Sequence, residues 1–183
     1  MLIVISGISG SGKTTIGRAL VKYFNSFKGA NDEAYKFVDE DSFYLKNKPK
    51  VKLSNGLVVA NWDTLEAIDI NSLRLTIESS ENIVLVGFTL TKEIIGEYKS
   101  IHFHLSIGDT DEVVIRRCVE ARKRSKGFRG DKAKIDELVV REVVMPFYKR
   151  TLKESDIDFK IDIYDHDKRR SVSEIVEVIM SLL

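Results

Sequence analysis

The chain has 183 residues, 43% of them hydrophobic and 31% charged, which is ordinary for a soluble globular protein of one domain with a full core. A formal net charge of +1 leaves no global field to draw nucleic acid or a membrane. The single cysteine, Cys118, excludes an intrachain disulfide, and its place in an apolar helical pattern reads as packing, not as a nucleophile.

In chain order, Leu2 to Ile5 is an unbroken apolar run, as in a strand buried on both faces of a parallel sheet. Next comes GISGSGKT, Gly7 to Thr14, which matches the phosphate-binding loop G-x-x-x-x-G-K-[ST] at every fixed position. Such a loop turns back its main-chain N–H groups on phosphate oxygens, which requires glycine where a Cβ would clash. Gly7, Ser9, Gly10, Ser11, Gly12, Lys13, Thr14 and Thr15 are the expected contacts to ATP. Lys13 would reach the β/γ-phosphates, and the Thr14 hydroxyl would hold Mg²⁺. After the loop, Ile16, Ala19, Leu20, Tyr23 and Phe24 recur at helical spacing, so a helix begins at Lys13 or Thr14 with its positive end toward the anion.

Tyr35 to Val38 reads as a second strand. A polar stretch from Asp39 to about Asn61 follows, with Pro49 and the turn signal Ser54-Asn55-Gly56; its length marks it as functional. Leu65 to Ser79 is helical in pattern, Ile83 to Val86 is a third apolar strand, and Thr91 to Tyr98 suits a short helix. Ile101 to Ile107 is a strand on which His102 and His104 lack metal-type partners, so packing or surface roles are expected. Asp109 with Glu112 gives a capping-box signal, and Ser125 to Asp131, with two glycines, interrupts the helix it opens. Another helical segment spans about 133–152, where Pro146 should kink or divide it. Phe159 to Ile163 is a last strand. Ser171 with Glu174 opens a helix with Val172, Ile175, Val176, Ile179 and Leu183 on one face. There is no repeat, no low-complexity segment and no apolar run near the roughly 18 residues of a membrane span. The first strand begins at residue 2, which leaves no room for a leader, so a cytoplasmic protein is expected.

Five strands alternating with helices predict a three-layer α/β/α domain over 1–183, with a five-stranded parallel sheet and a ligand beyond the strands' carboxyl ends. The segment EDSFY, Glu40 to Tyr44, would then lie at the active edge, making Asp41 a candidate base for an attacking hydroxyl. In NWDTLEAID, Asn61 to Asp69, an aromatic beside a carboxylate can stack a flat ring and accept hydrogen bonds from a sugar diol. Asp63 could equally be a helix N-cap, with Glu66 three residues beyond it.

With the loop, these stretches resemble the uridine kinase and nicotinamide riboside kinase group of P-loop kinases. EDSFY is similar to the group's Q-D-S-F-Y, NWD to its N-F-D or Q-Y-D, VGFTL (Val86 to Leu90) to E-G-F-L-L, and MPFYKR (Met145 to Arg150) to W-P-M-Y-x-K-Y. YDHDKRRSVSEI resembles the final strand-to-helix turn. The likeness covers nearly the whole chain in order, but only the phosphate loop is individually specific. It implies ATP-dependent phosphorylation of the 5′-hydroxyl of a nucleoside or riboside. Asp41 would be the base, and Asp41, Phe43, Tyr44, Trp62, Asp63 and Arg117 would bind the acceptor. The acceptor region would span about 39–70 and the lid about 122–132. His166 and Asp167 would make backbone contacts near the adenine.

Where the group has a metal-assisting glutamate, this chain has Val86. Mg²⁺ would then depend on Thr14 with Asp39 or Asp41, since that ion keeps several waters and uses one or two carboxylates. Between Arg116 and Lys132, eight of seventeen residues are Lys or Arg. Arg122, Arg124 and Arg117 are lid candidates, with Arg122 and Arg124 expected to neutralise the transferring phosphoryl group. Gly127 and Gly130 would let the tip move. A nucleic-acid reading is weaker, because only Phe128 is interleaved for stacking. The rival readings are a nucleoside monophosphate kinase, which would need arginines absent from 39–73, and a nucleotide-binding relative whose catalysis has lapsed. A GTPase is opposed by the lack of an N-K-x-D base reader.

Overall fold

A computed structural model describes residues 1–30 and 32–183. Five parallel strands form the central sheet: β1 (Leu2–Ser6), β2 (Lys36–Asp39), β5 (Ile83–Gly87), β6 (Ser100–Ser106) and β7 (Phe159–Asp162), in the order β2-β5-β1-β6-β7. Two hairpins lie outside it, β3 (Lys50–Lys52) with β4 (Val58–Ala60), and β8 (Tyr164–Asp165) with β9 (Lys168–Arg169). The helices are α1 (Lys13–Phe27), α2 (Ile70–Glu78), α3 (Lys92–Ile95), α4 (Asp111–Lys126), α5 (Asp131–Val139), α6 (Met145–Glu154) and α7 (Val172–Leu182). This is the expected three-layer α/β/α arrangement.

The apolar runs are continuous because β1 and β5 are buried on both faces. Ile3, Ile5, Val84, Val86, Phe103 and Leu105 face one cluster, closed by Ile16 and Leu20 of α1 and by Ile175, Val176 and Ile179 of α7. Leu2, Val4, Ile83 and Leu85 face the other, closed by Leu73 and Ile77 of α2 and Ile94 and Ile95 of α3. The register, with Ile3 beside Val84 and Ile5 beside Val86, keeps each set on its own face. Gly17 lets α1 lie directly on the sheet: a Cβ there would stand 2.4 Å from Val86 Cγ1.

Several sequence expectations need correction. The stretch 39–61 is not a plain loop; it holds a 3₁₀ turn (Glu40–Phe43) and the β3–β4 hairpin, whose turn is Ser54-Asn55-Gly56. The helical pattern of 65–79 splits into a 3₁₀ turn (Leu65–Ala67) and α2, because the Asp69 side chain caps the Ser72 N–H. The predicted helix of 91–98 shrinks to one turn, ended at Gly96. Asp109 caps nothing: α4 starts one residue later, with Thr110 accepting from the Val113 N–H. The segment 133–152 is not cut at Pro146: Val139, Val140, Val144 and Met145 all keep right-handed helical backbone, so α5 runs through a π turn into α6. Pro146, which has no N–H to give, falls directly after that π turn, Val140–Val144, where the regular hydrogen-bond ladder is already interrupted and Met145 N–H donates to the Val140 carbonyl. The Ser171–Glu174 capping box is present in both directions.

His102 and His104 are buried in a polar chain, not exposed. His102 Nε2 lies 2.7 Å from Ser6 Oγ, Ser6 Oγ lies 2.9 Å from His104 Nδ1, and His104 Nε2 lies 2.8 Å from the Tyr148 hydroxyl. Burial pushes both imidazoles down to about 4, so both rings are neutral near pH 7. With one proton per bond, the three bonds must all run in the same direction. Cys118 is also buried, and burial pushes its thiol up to about 12, as a packing role requires. Among the described residues no helix is long and apolar enough to cross a membrane.

Candidate active site

The phosphate loop leaves β1 after Ser6 and enters α1 at Lys13. Gly10 and Gly12 both take φ of 89°, a left-handed backbone that suits glycine. Gly12 occupies the N-cap position of α1 and no side chain caps that end, so its first N–H groups stay open toward the cleft. Ser11 is fully buried, and its hydroxyl has no hydrogen-bond partner among the described residues. Open amides beside a lysine are the physical requirement for an anion site.

A cleft of about 570 Å³ lies over this loop. The loop lines it with Ser9, Gly10, Gly12, Lys13, Thr14 and Thr15. Asp41 faces them from the turn after β2, and Ala121, Arg124 and Ser125 from α4. Arg169 of β9 forms a wall that the sequence reading missed. Its Nη2 donates to the Ser11 carbonyl at 3.3 Å and would stand 2.6 Å from any Cβ at Gly12.

Thr14 Oγ1 donates to Asp39 Oδ2 at 3.4 Å, and Asp39 Oδ1 accepts from the Asp41 N–H at 3.2 Å. Thr14 and Asp39 are thus neighbours, and this hydroxyl–carboxylate pair is a hard-oxygen donor set suited to a Mg²⁺ that keeps several waters. Val86 supplies nothing here: its side chain is fully buried against Gly17 of α1. Burial raises the Asp41 carboxyl; the Lys13 charge opposes that rise, and Asp39 adds to it.

Glu40 is wholly buried beneath the turn. Its Oε2 accepts from the Phe88 N–H at 2.6 Å and the Thr89 N–H at 3.1 Å, and its Oε1 from the Thr89 hydroxyl. Burial pushes this carboxyl up to about 7 against the pull of those bonds and of Lys13.

Tyr44 and Trp62 meet edge to face at 5.1 Å, with Trp62 48% exposed. Lys48 holds its ammonium 3.8 Å above the Trp62 ring while donating to the Leu45 carbonyl at 2.6 Å. Phe43 turns its ring toward the apolar cluster under α2. Asp63 is no N-cap: Thr64 flanks the short turn, and the Glu66 carboxylate accepts from the Thr64 hydroxyl. Burial raises the Asp63 carboxyl, with Arg122, Lys126 and Lys13 opposing and Asp41 reinforcing. Asp41, Asp63, Lys13, Arg122 and Lys126 therefore share one electrostatic neighbourhood.

The arginines separate. Arg122 is held by Asp136 of α5, with Nε donating to both carboxylate oxygens at 3.1 and 2.9 Å and Nη2 to one at 2.7 Å. Arg124 lines the cleft. Arg117 lies apart from Trp62 and Asp63: it donates to the Ile107 and His166 carbonyls at 2.7 and 2.8 Å and stacks 3.7 Å over Tyr164. It also meets Asp167 at 3.2 Å, so it fastens the β8–β9 hairpin to the end of β6.

No protein-family model and no curated protein matches the sequence. Solved structures do match its fold. A provisionally assigned fructose transport system kinase from Silicibacter sp. TM1040 is 13% identical over 88% of this chain and 89% of its own, with a TM-score of 0.59. A gluconokinase from Sinorhizobium meliloti is 14% identical over 98% and 89%, with a TM-score of 0.53. A shikimate kinase from Bacteroides thetaiotaomicron is 17% identical over 100% and 97%, with a TM-score of 0.52. At these identities the likeness is one of fold.

Proposed function

We propose that the protein is an ATP-dependent kinase that phosphorylates a primary hydroxyl, with the 5′-hydroxyl of a nucleoside or riboside as the acceptor. One observation carries this reading: a single cleft brings the open amides of the phosphate loop, Lys13 and Thr14 face to face with Asp41. The loop amides and Lys13 hold the triphosphate. Thr14 and Asp39 are the residues that would hold Mg²⁺, which when bound neutralises charge on the phosphate oxygens. Asp41 orients the acceptor hydroxyl and takes its proton. Asp63 accepts from the sugar hydroxyls, and Tyr44 and Trp62 border the acceptor. Arg124 faces the phosphates directly, while Arg122, anchored by Asp136, contributes its charge from the side of Asp63.

A second reading is a small polyhydroxylated acid as acceptor. The Lys48 ammonium already covers one face of Trp62, and Arg122 and Lys126 lie near Asp63. A gluconokinase and a shikimate kinase share the fold.

ADP release with Mg-ATP against uridine, cytidine, nicotinamide riboside, nucleoside monophosphates, gluconate and shikimate decides between them. Riboside-dependent release is expected, with Lys13→Ala lowering it by about 100-fold or more, as loss of a charge-stabilising group does. Release with the acids alone selects the second reading. Release with monophosphates alone overturns both, and Lys13→Ala acting like the parent removes the kinase reading.

A further inference from the structure

Glu40 takes no chemical step in the reaction above, yet among the described residues it is the least exposed acid. It opens the 3₁₀ turn that carries Asp41, and its side chain turns inward while Asp41 turns toward the cleft. The groups it binds, the N–H groups of Phe88 and Thr89, lie just past Gly87. There the ladders of β5 with β1 and β2 have ended, at the Ser6–Gly87 and Asp39–Val86 pairs, and among the described residues the Glu40 carboxylate is the acceptor these two amides have. A buried N–H without a partner is strongly disfavoured, so the carboxylate completes the end of the sheet.

The fit is mutual. A Cβ at Gly87 would stand 2.4 Å from Glu40 Oε2 and 2.7 Å from Glu40 Cβ, so glycine at 87 is what lets the carboxylate in. The turn is fastened separately at its far end: Leu45 N–H donates to the Ala67 carbonyl and Asp69 N–H to the Phe43 carbonyl, each at 2.8 Å. At its near end Asp39 accepts from the Asp41 N–H. Between those ends, Glu40 ties the turn to the sheet.

We propose that Glu40 is a positioning residue: its buried carboxylate clamps the Asp41 turn to the exit of β5 and thereby sets Asp41 opposite the phosphate loop. The kinetic consequence rests on the kinase reading; the clamp itself does not. Glu40→Ala leaves the two amides without acceptors and frees the turn. Glu40→Gln keeps the length and one carbonyl oxygen for the amides, and the Thr89 hydroxyl can rotate to accept from its NH₂ group. Glu40→Asp keeps the acid but shortens its reach.

The test combines amide hydrogen exchange at residues 41–44 and 88–89, Mg-ATP titration calorimetry, and ADP release with the acceptor found above or, failing one, with water. Glu40→Ala is expected to exchange about tenfold faster or more in those two segments alone, through local opening. It should bind Mg-ATP within about threefold of the parent, yet release ADP roughly 10- to 100-fold more slowly, as a misplaced reacting group does. Glu40→Gln should recover most of both losses. Unchanged exchange in Glu40→Ala overturns the proposal. So does exchange that rises across the whole sheet with Mg-ATP affinity falling in step, which is the behaviour of a general core residue. Should Glu40→Ala not fold, Glu40→Asp replaces it, and parent-like exchange and rate in that variant overturn the clamp. A parent that binds no Mg-ATP removes the kinase reading and leaves the exchange comparison to decide the clamp.

Discussion

Val86 shows how a motif position and a side-chain direction can part. By sequence order it stands where the resembling kinases place a carboxylate, and a glutamate there would be expected to restore a metal ligand. The side chain instead lies in the apolar layer between β5 and α1, fully buried against Gly17. Val86→Glu would therefore put an unpaired carboxylate into hydrocarbon and overfill a contact that already requires glycine. The expected outcome is a loss of about 3 kcal/mol or more in denaturant unfolding and no gain in ADP release. A stable variant with faster turnover would show that residue 86 can reach the metal.

The α4–α5 pair is held by a bond that no sequence pattern announced. Arg122 and Asp136 sit fourteen residues apart on two helices, and the carboxylate is almost wholly buried. Removing one partner of a buried pair strands the other, at about 3–5 kcal/mol. Asp136→Ala should lower the unfolding free energy on that scale and loosen the loop between Gly127 and Gly130, read as faster exchange there. Unaltered stability would mean that Arg122 finds another partner. The strands were legible because a run such as Leu2 to Ile5 is apolar on both faces, too short for a buried helix and ended by a glycine-rich turn. The loop was legible because its glycines, lysine and threonine each answer a separate need. Glu40, Arg169 and Asp136 were not legible. Each acts across the fold, on groups set by how β5, the loop and α4 come together, and no local spacing encodes that meeting. The Asp109 cap failed for a local reason: Thr110, one residue on, is also a capping residue, and its side chain is the one that accepts from the Val113 N–H.

Across the whole molecule, the His102–Ser6–His104–Tyr148 chain joins β6, β1 and α6 in one buried line. Both imidazoles titrate at about 4 in the fold against an ordinary value near 6.5 once unfolded. Between those values the unfolded chain binds more protons at these two sites, so the rings' contribution to stability falls as pH drops from about 6.5 toward 4, by up to a few kcal/mol per ring, while Glu40, raised to about 7 in the fold, contributes in the opposite sense. Measured across that range, the melting temperature of the parent should lose ground relative to that of His104→Gln, which can bond without titrating. Equal slopes in the two proteins would show that the acid loss arises elsewhere.

Arg169 adds a consequence in time. The guanidinium that closes the cleft over Gly12 is translated long after the loop it covers. A nascent chain can shape its opening glycines early, but this pocket wall arrives only after the whole sheet has been made. Under the kinase proposal, tight retention of nucleotide would wait until the β8–β9 hairpin has docked.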